Sequence, residues 1–203
     1  MEGLHREQEK PKFEVLKTIG GSDANKLVNG TFNSWSSIVV SKREGKSKDL
    51  SDVLAVQMGL TTEDLNRRWF EKTTELKVSV VEDPLTNAKY DFAHARLDGI
   101  IYDENLAVFE AKHTNPFKPP EEQISKYYGQ LQHYMMVIES ETSYLSILSG
   151  NMAHHIFKVD RDDKYISKLE YIEKYLYQCI IGKEKLDDEF YHDYKEEYNI
   201  YKT

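Results

Sequence analysis

Residues 96–112 read Arg-Leu-Asp-Gly-Ile-Ile-Tyr-Asp-Glu-Asn-Leu-Ala-Val-Phe-Glu-Ala-Lys. Two apolar runs, 96–102 and 106–112, flank Asp103-Glu104-Asn105. A three-residue hairpin loop commonly closes on a residue with positive φ, which asparagine tolerates. Such a loop pairs Tyr102 with Leu106, and counting back along both strands places Asp98 directly opposite Glu110. Opposed residues share one sheet face, with Cβ atoms about 4.5–5.5 Å apart. Lys112, two positions beyond Glu110, lies on that face too, because strand side chains alternate. Three ionisable groups thus converge inside strands that are otherwise apolar.

Outward from the hairpin, the pattern on the N-terminal side is strand over 77–81, a turn at Asp83-Pro84 and Thr86-Asn87, and strand again over 89–102. Further back the chain reads as helices. Ser22 suits the N-cap of a short helix ending at Asn29-Gly30, and a longer helix carries Trp35, Ile38 and Val39. Helical patterns at 50–58 and 62–74 are separated by an expected break around Gly59. On the C-terminal side, TNPFKPP gives way to a strong helix. Its apolar stripe is Ile124, Tyr127, Tyr128, Leu131, Tyr134, Met135 and Ile138. Strands are expected at 144–149 and 154–159, then an amphipathic helix carrying Ile166, Leu169, Ile172, Leu176, Cys179 and Ile180, ended by Gly182. Helices, a three-strand meander, a crossover helix, two strands and a helix make an α/β (α+β) layered domain with a mixed sheet. With no repeat or linker to divide them, the 203 residues are expected to form one domain, closed by an acidic, tyrosine-rich tail over 183–203.

The net charge of −8 argues against a simple basic module for nucleic acid, yet much of the excess sits in the tail. The single cysteine, Cys179, has no internal disulfide partner and is expected as a core thiol. The N-terminus lacks the apolar run of a signal peptide, and no stretch approaches the roughly 20 apolar residues that span a bilayer. The expected location is the cytoplasm, without membrane attachment.

Two carboxylates held side by side repel, and a neutral sheet interior does not favour them. A hard divalent cation removes the repulsion, and Mg²⁺ takes one or two carboxylates with water and phosphate oxygens. Lys112 beside such a cation can hold or help deprotonate a water, or stabilise charge on a phosphate. The competing reading is a structural salt bridge.

Leu97-Asp98, Glu110-Ala111-Lys112 and the meander-then-helix order resemble the PD-(D/E)XK nuclease superfamily, with Leu97 where proline is usual. Gly20-Gly21-Ser22-Asp23-Ala24, Gly59-Leu60-Thr61-Thr62-Glu63 and Tyr127-Tyr128-Gly129-Gln130-Leu131-Gln132-His133-Tyr134 narrow the resemblance to the phage lambda exonuclease and YqaJ-type viral recombinase branch, over roughly residues 19–150. It implies a Mg²⁺-dependent 5′→3′ double-strand DNA exonuclease working by two-metal hydrolysis, with Mn²⁺ able to substitute. Asp98, Glu110, the Ala111 carbonyl and Glu63 would hold the metals. Lys112 would act on the attacking water, Gln130 would bond near that water or the scissile phosphate, and Gln132 would help. Ser22 matches a position that touches a DNA phosphate. The arginine that grips a 5′-phosphate in such enzymes has no counterpart, Arg6 lying too far upstream. The resemblance also implies linear duplex DNA as substrate, a homotrimeric ring, a single-strand annealing protein as partner, and a bacterial host's cytoplasm if the gene is a phage's.

Each residue has a plainer reading beside this one. Glu63 suits a helix N-terminus by dipole and capping, Ser22 a cap, and Gln130 a solvated edge. Trp35 and Trp69 read as core, and His154-His155 as a surface strand pair facing opposite ways. Arg67 and Arg68, with Lys42, Arg43, Lys46 and Lys48, are the candidates for DNA backbone contact. An endonuclease or a host-DNA-degrading nuclease on the same core, and a non-catalytic DNA-binding or assembly subunit, are the alternative functions.

Overall fold

The computed structural model describes residues 17–46, 49–102 and 104–197. Among these residues six α-helices surround a five-stranded sheet: α1 (Gly21–Asn29), α2 (Phe32–Glu44), α3 (Leu54–Thr74), β1 (Val78–Ser79), β2 (Gly99–Tyr102), β3 (Leu106–Thr114), α4 (Pro120–Ile138), β4 (Thr142–Ser149), β5 (Ala153–Asp160), α5 (Asp163–Ile180) and α6 (Asp188–Glu197). The strands lie in sequence order. Neighbours are antiparallel except β3 and β4, which are parallel and therefore joined by the crossover helix α4.

The hairpin register is the one the loop length dictates: Tyr102 pairs with Leu106 and Gly99 with Phe109. Asn105 does not take a positive φ, since Glu75 and Glu139 are the only non-glycine residues that do so among those described. The register is held by the apolar faces. Val108 packs with Leu131 and Met135 of α4, while Ala107 and Phe109 pack with Phe70 of α3 on the opposite face. A one-residue slip would exchange the two faces. Gly99 is required by close approach, because a Cβ there would lie 2.3 Å from Val78 Cγ1.

Residues 89–98 do not continue as strand. Ala88–Tyr90 make a short 3₁₀ turn, and among the described residues the segment pairs only through single bridges, Ile19 to Ala93 and Leu85 to Ala95. Tyr90 and Phe92 are instead buried in the core with α4, which draws the chain away from the sheet edge. Nor does Gly59 break α3, which is one continuous helix. A glycine costs a helix about 1 kcal/mol. The contacts of Phe70 with Phe109 and Tyr144, at 5.0 and 5.6 Å between ring centroids, anchor the helix well beyond it.

Helix α4 is buried nearly all round from Gly129 to Val137, because α1 and α5 cover the face turned from the sheet. A second core joins α1, α2, α5 and α6 around Trp35, Leu169, Leu176 and Cys179. The tail residues 188–197 belong to it: Tyr191 and Tyr194 meet the Trp35 ring edge-on at 4.9 and 5.9 Å. The tail is therefore packed on its own chain over these residues, while Tyr198 and Tyr201 lie outside the described residues. Among the described residues no helix is long and apolar enough to cross a membrane.

Candidate active site

Asp98 sits just before β2, where that strand leaves β3, and the opening is filled by its own side chain. Its Oδ2 accepts a hydrogen bond of 2.8 Å from the Ala111 amide, replacing a ladder bond. Glu110 follows Phe109, the last residue of β3 paired with β2, and is 1% exposed. Glu110 Oε1 accepts from the Lys112 ammonium and, at 2.7 Å, from the Gln130 amide nitrogen. Its Oε2 is buried without a hydrogen-bond partner among the described residues. The same Gln130 nitrogen lies 2.9 Å from the Tyr134 hydroxyl, so α4 contributes a fixed polar frame behind the carboxylates.

The electrostatics follow from this crowding. Burial, then the Asp98 charge, pushes the Glu110 carboxyl up to about 8, against the pull of Lys112. Burial also raises Asp98, with Lys112 and the Ala111 amide opposing. For Lys112, burial works against the ammonium, but Glu110 and Asp98 outweigh it and hold the proton more tightly than usual. Glu63 is raised by burial and by Asp98. The site is thus short of positive charge, and an orphaned buried carboxylate oxygen beside a second carboxylate suits a hard cation.

The expected residues are brought together unequally. Asp98, Glu110, Lys112 and Gln130 converge. Glu63 comes from α3 in the middle of that helix, so the helix-N-terminus reading of it fails. It is close enough to feel the Asp98 and Lys112 charges. The described residues contain no cluster of three or more His, Cys, Asp or Glu side chains placed to hold a metal, so Glu63 does not close on the pair here. Ser22 is exposed near the start of α1 and is not its cap; Gly20 is, its amide donating to Asp23 Oδ2 at 3.1 Å. Arg67 and Arg68 both pair with Asp64 on α3, and Arg67 is the one whose charge reaches Glu63.

Gln132 is a correction. It is fully buried, its amide nitrogen donating to the Asp160 carbonyl and its oxygen accepting from the Asp162 amide, both at 2.9 Å. It fastens α4 to the β5–α5 corner. Among the other basic candidates, Lys42 pairs with Asp23, Arg43 bonds the Cys179 carbonyl, and Lys46 pairs with Glu44. Lys48 and Arg6 fall outside the described residues. Trp35 is core as expected, but Trp69 is 46% exposed on α3.

Sequence reasoning missed Arg96. It is exposed between buried Ala95 and Leu97, and its charge reaches Tyr134 and His94. Its position two residues before Asp98 was the available signal. Also missed was the contact of Gly21 with Tyr134: a Cβ on Gly21 would stand 2.5 Å from that ring. This close approach seats the start of α1, with Ser22, beside the Gln130–Tyr134 frame.

Solved structures share this architecture. The alkaline exonuclease of Laribacter hongkongensis aligns with a TM-score of 0.65 at 15% identity, covering 92% of this chain and 96% of that one. The same enzyme in complex with dAMP gives 0.65 at 16% identity over 95% and 99%. A phage-related exonuclease from Haemophilus somnus 129PT gives 0.62 at 13% identity over 82% and 96%. No curated protein sequence matches. The fold is that of the PD-(D/E)XK nucleases of the lambda exonuclease type. The chain belongs to the YqaJ-like viral recombinase domain family, which matches residues 10–144, well over half of its length.

Proposed function

We propose that this protein is a Mg²⁺-dependent 5′→3′ exonuclease of double-stranded DNA, of the phage recombination kind, on one nuclease domain. The observation that carries the reading is Glu110: buried, with one oxygen held by Lys112 and Gln130 and the other without a partner among the described residues, beside Asp98. Asp98, Glu110, the Ala111 carbonyl and Glu63 would hold Mg²⁺ or Mn²⁺. A divalent cation there would offset charge on a phosphodiester and make a water easier to deprotonate, and a pair of them would support two-metal hydrolysis.

The chain's own residues supply the rest. Gln130 fixes the Glu110 carboxylate, so the free oxygen points one way. Lys112 keeps its proton and donates to the attacking water or a phosphoryl oxygen. Arg96, whose charge reaches Tyr134, would meet a phosphate, with Ser22, Arg67 and Arg68 along the backbone of the duplex. A dAMP complex of a structural neighbour is consistent with a site that releases mononucleotides. By family, the assembly proposed is a homotrimer working with a single-strand annealing protein in a bacterial cytoplasm.

The test is Mg²⁺-dependent digestion of linear duplexes bearing a 5′-phosphate, a 5′-hydroxyl or blocked ends, beside a closed circle. Mononucleotides released from open 5′ ends, with the circle intact, are expected, and light scattering should give three times 23.8 kDa. Nicking of the circle by a monomer would make it an endonuclease; no cleavage in Mg²⁺ or Mn²⁺ would end the reading.

A further inference from the structure

We infer that Tyr127 is a positioning residue for Lys112, holding the ammonium over its ring while Glu110 is engaged elsewhere. The inference rests on the proposed hydrolysis. Lys112 Nζ lies 5.0 Å from the Tyr127 ring centroid, within the range of a cation–π contact. Tyr127 stands one turn before Gln130 on α4, so the helix that fixes Glu110 also carries the lysine's second support. The ring is itself tied down: Lys126 Nζ sits 4.6 Å from its centroid and donates to its hydroxyl at 2.9 Å.

The need for a second support follows from the Glu110 pairing. The ammonium donates to the Glu110 carboxyl group, which a cation would also draw on once that group is ionised. Positive charge entering at Glu110 weakens the carboxylate's hold on Lys112 and repels the ammonium. A flexible four-carbon side chain then has many rotamers open to it. A ring face attracts the ammonium without accepting a proton from it or competing for the cation. Tyr127 therefore keeps the lysine beside the reacting phosphate when its carboxylate partner no longer does.

The experiment compares Tyr127→Phe, which keeps the ring, with Tyr127→Leu, which removes it. Tyr127→Leu should lower kcat about five- to thirtyfold, the range a desolvated cation–π contact supports, with KM for duplex DNA moved less than about twofold. Tyr127→Phe should stay within about twofold of the parent. In a Lys112→Ala background, Tyr127→Leu should add nothing. A readout independent of activity is the Lys112 ε-methylene resonance, assigned by its loss in Lys112→Arg. It should be shifted upfield by the ring in the parent and in Tyr127→Phe, and return to the ordinary lysine position in Tyr127→Leu. Equal damage from Phe and Leu, an undiminished effect without Lys112, or a resonance that Leu leaves unmoved would overturn the inference. If the parent cleaves no DNA, the proposed function fails, and the resonance still decides where the lysine is held.

Discussion

Replacing Glu110 by Gln should stabilise the cation-free protein, and increasingly so as pH rises. In the folded chain the carboxyl titrates at about 8 rather than at its ordinary 4.5, chiefly because it is buried and faces Asp98. Between those values the unfolded chain has lost the proton and the folded chain keeps it. Stability is therefore fully present below about 4.5 and is lost as pH climbs toward 8. Each pH unit inside the window costs about 1.4 kcal/mol, an upper limit of about 5 kcal/mol over the whole shift. Glutamine keeps the shape and the bond to Gln130 and has no proton to lose. From pH 5.5 to 7.5 the stability gap between variant and parent should widen by about 2–3 kcal/mol. At roughly 2–4 °C per kcal/mol for a chain of this length, the Tm difference should grow by about 5–10 °C. Thermal melts in chelator across that range measure it, and added Mg²⁺ should close the gap by stabilising only the parent. Parallel melting curves for parent and variant would falsify the argument that Glu110 is an unsatisfied buried acid.

Arg96→Ala should weaken binding to a short duplex and lower the slope of log affinity against log salt by about 1, without changing Tm; an unchanged slope would remove Arg96 from the DNA path. Gly21→Ala forces a methyl group against the Tyr134 ring and should cost about 1–3 kcal/mol, read as a Tm drop with loss of cleavage, whereas an unaltered Tm would mean that α1 sits less tightly than the 2.5 Å approach implies. His94 is held down to about 4 by burial, with the charges of His133 and Lys42 adding to it. Its contribution to stability is therefore present above about 6.5 and lost as pH falls toward 4. His94→Gln should flatten that acid limb by at most about 1.4 kcal/mol per unit, and an unchanged limb in urea titrations would refute it.

The seventeen residues from Arg96 to Lys112 brought Asp98, Glu110 and Lys112 together by themselves. A short loop fixes register, register fixes which side chains oppose one another, and alternation fixes the face. Asp98, Glu110 and Lys112 met for reasons confined to two neighbouring strands. The element order was legible for a similar reason, because the periodicity of buried side chains is local. Distant surroundings decided the rest. Gln130 looks like an edge residue in its own helix, and Gln132 like its helper. Only the layer of α1 and α5 over α4 shows that one faces the carboxylates and the other fastens the β5–α5 corner. Gly59 reads as a break until the anchorage of Phe70 on Phe109 and Tyr144 offsets its cost. The tyrosine-rich tail has no core of its own, and it took the Trp35 ring, more than 150 residues earlier, to give its helix a place to pack. Register is a property of neighbours along the chain, whereas burial depends on what the rest of the fold lays on top.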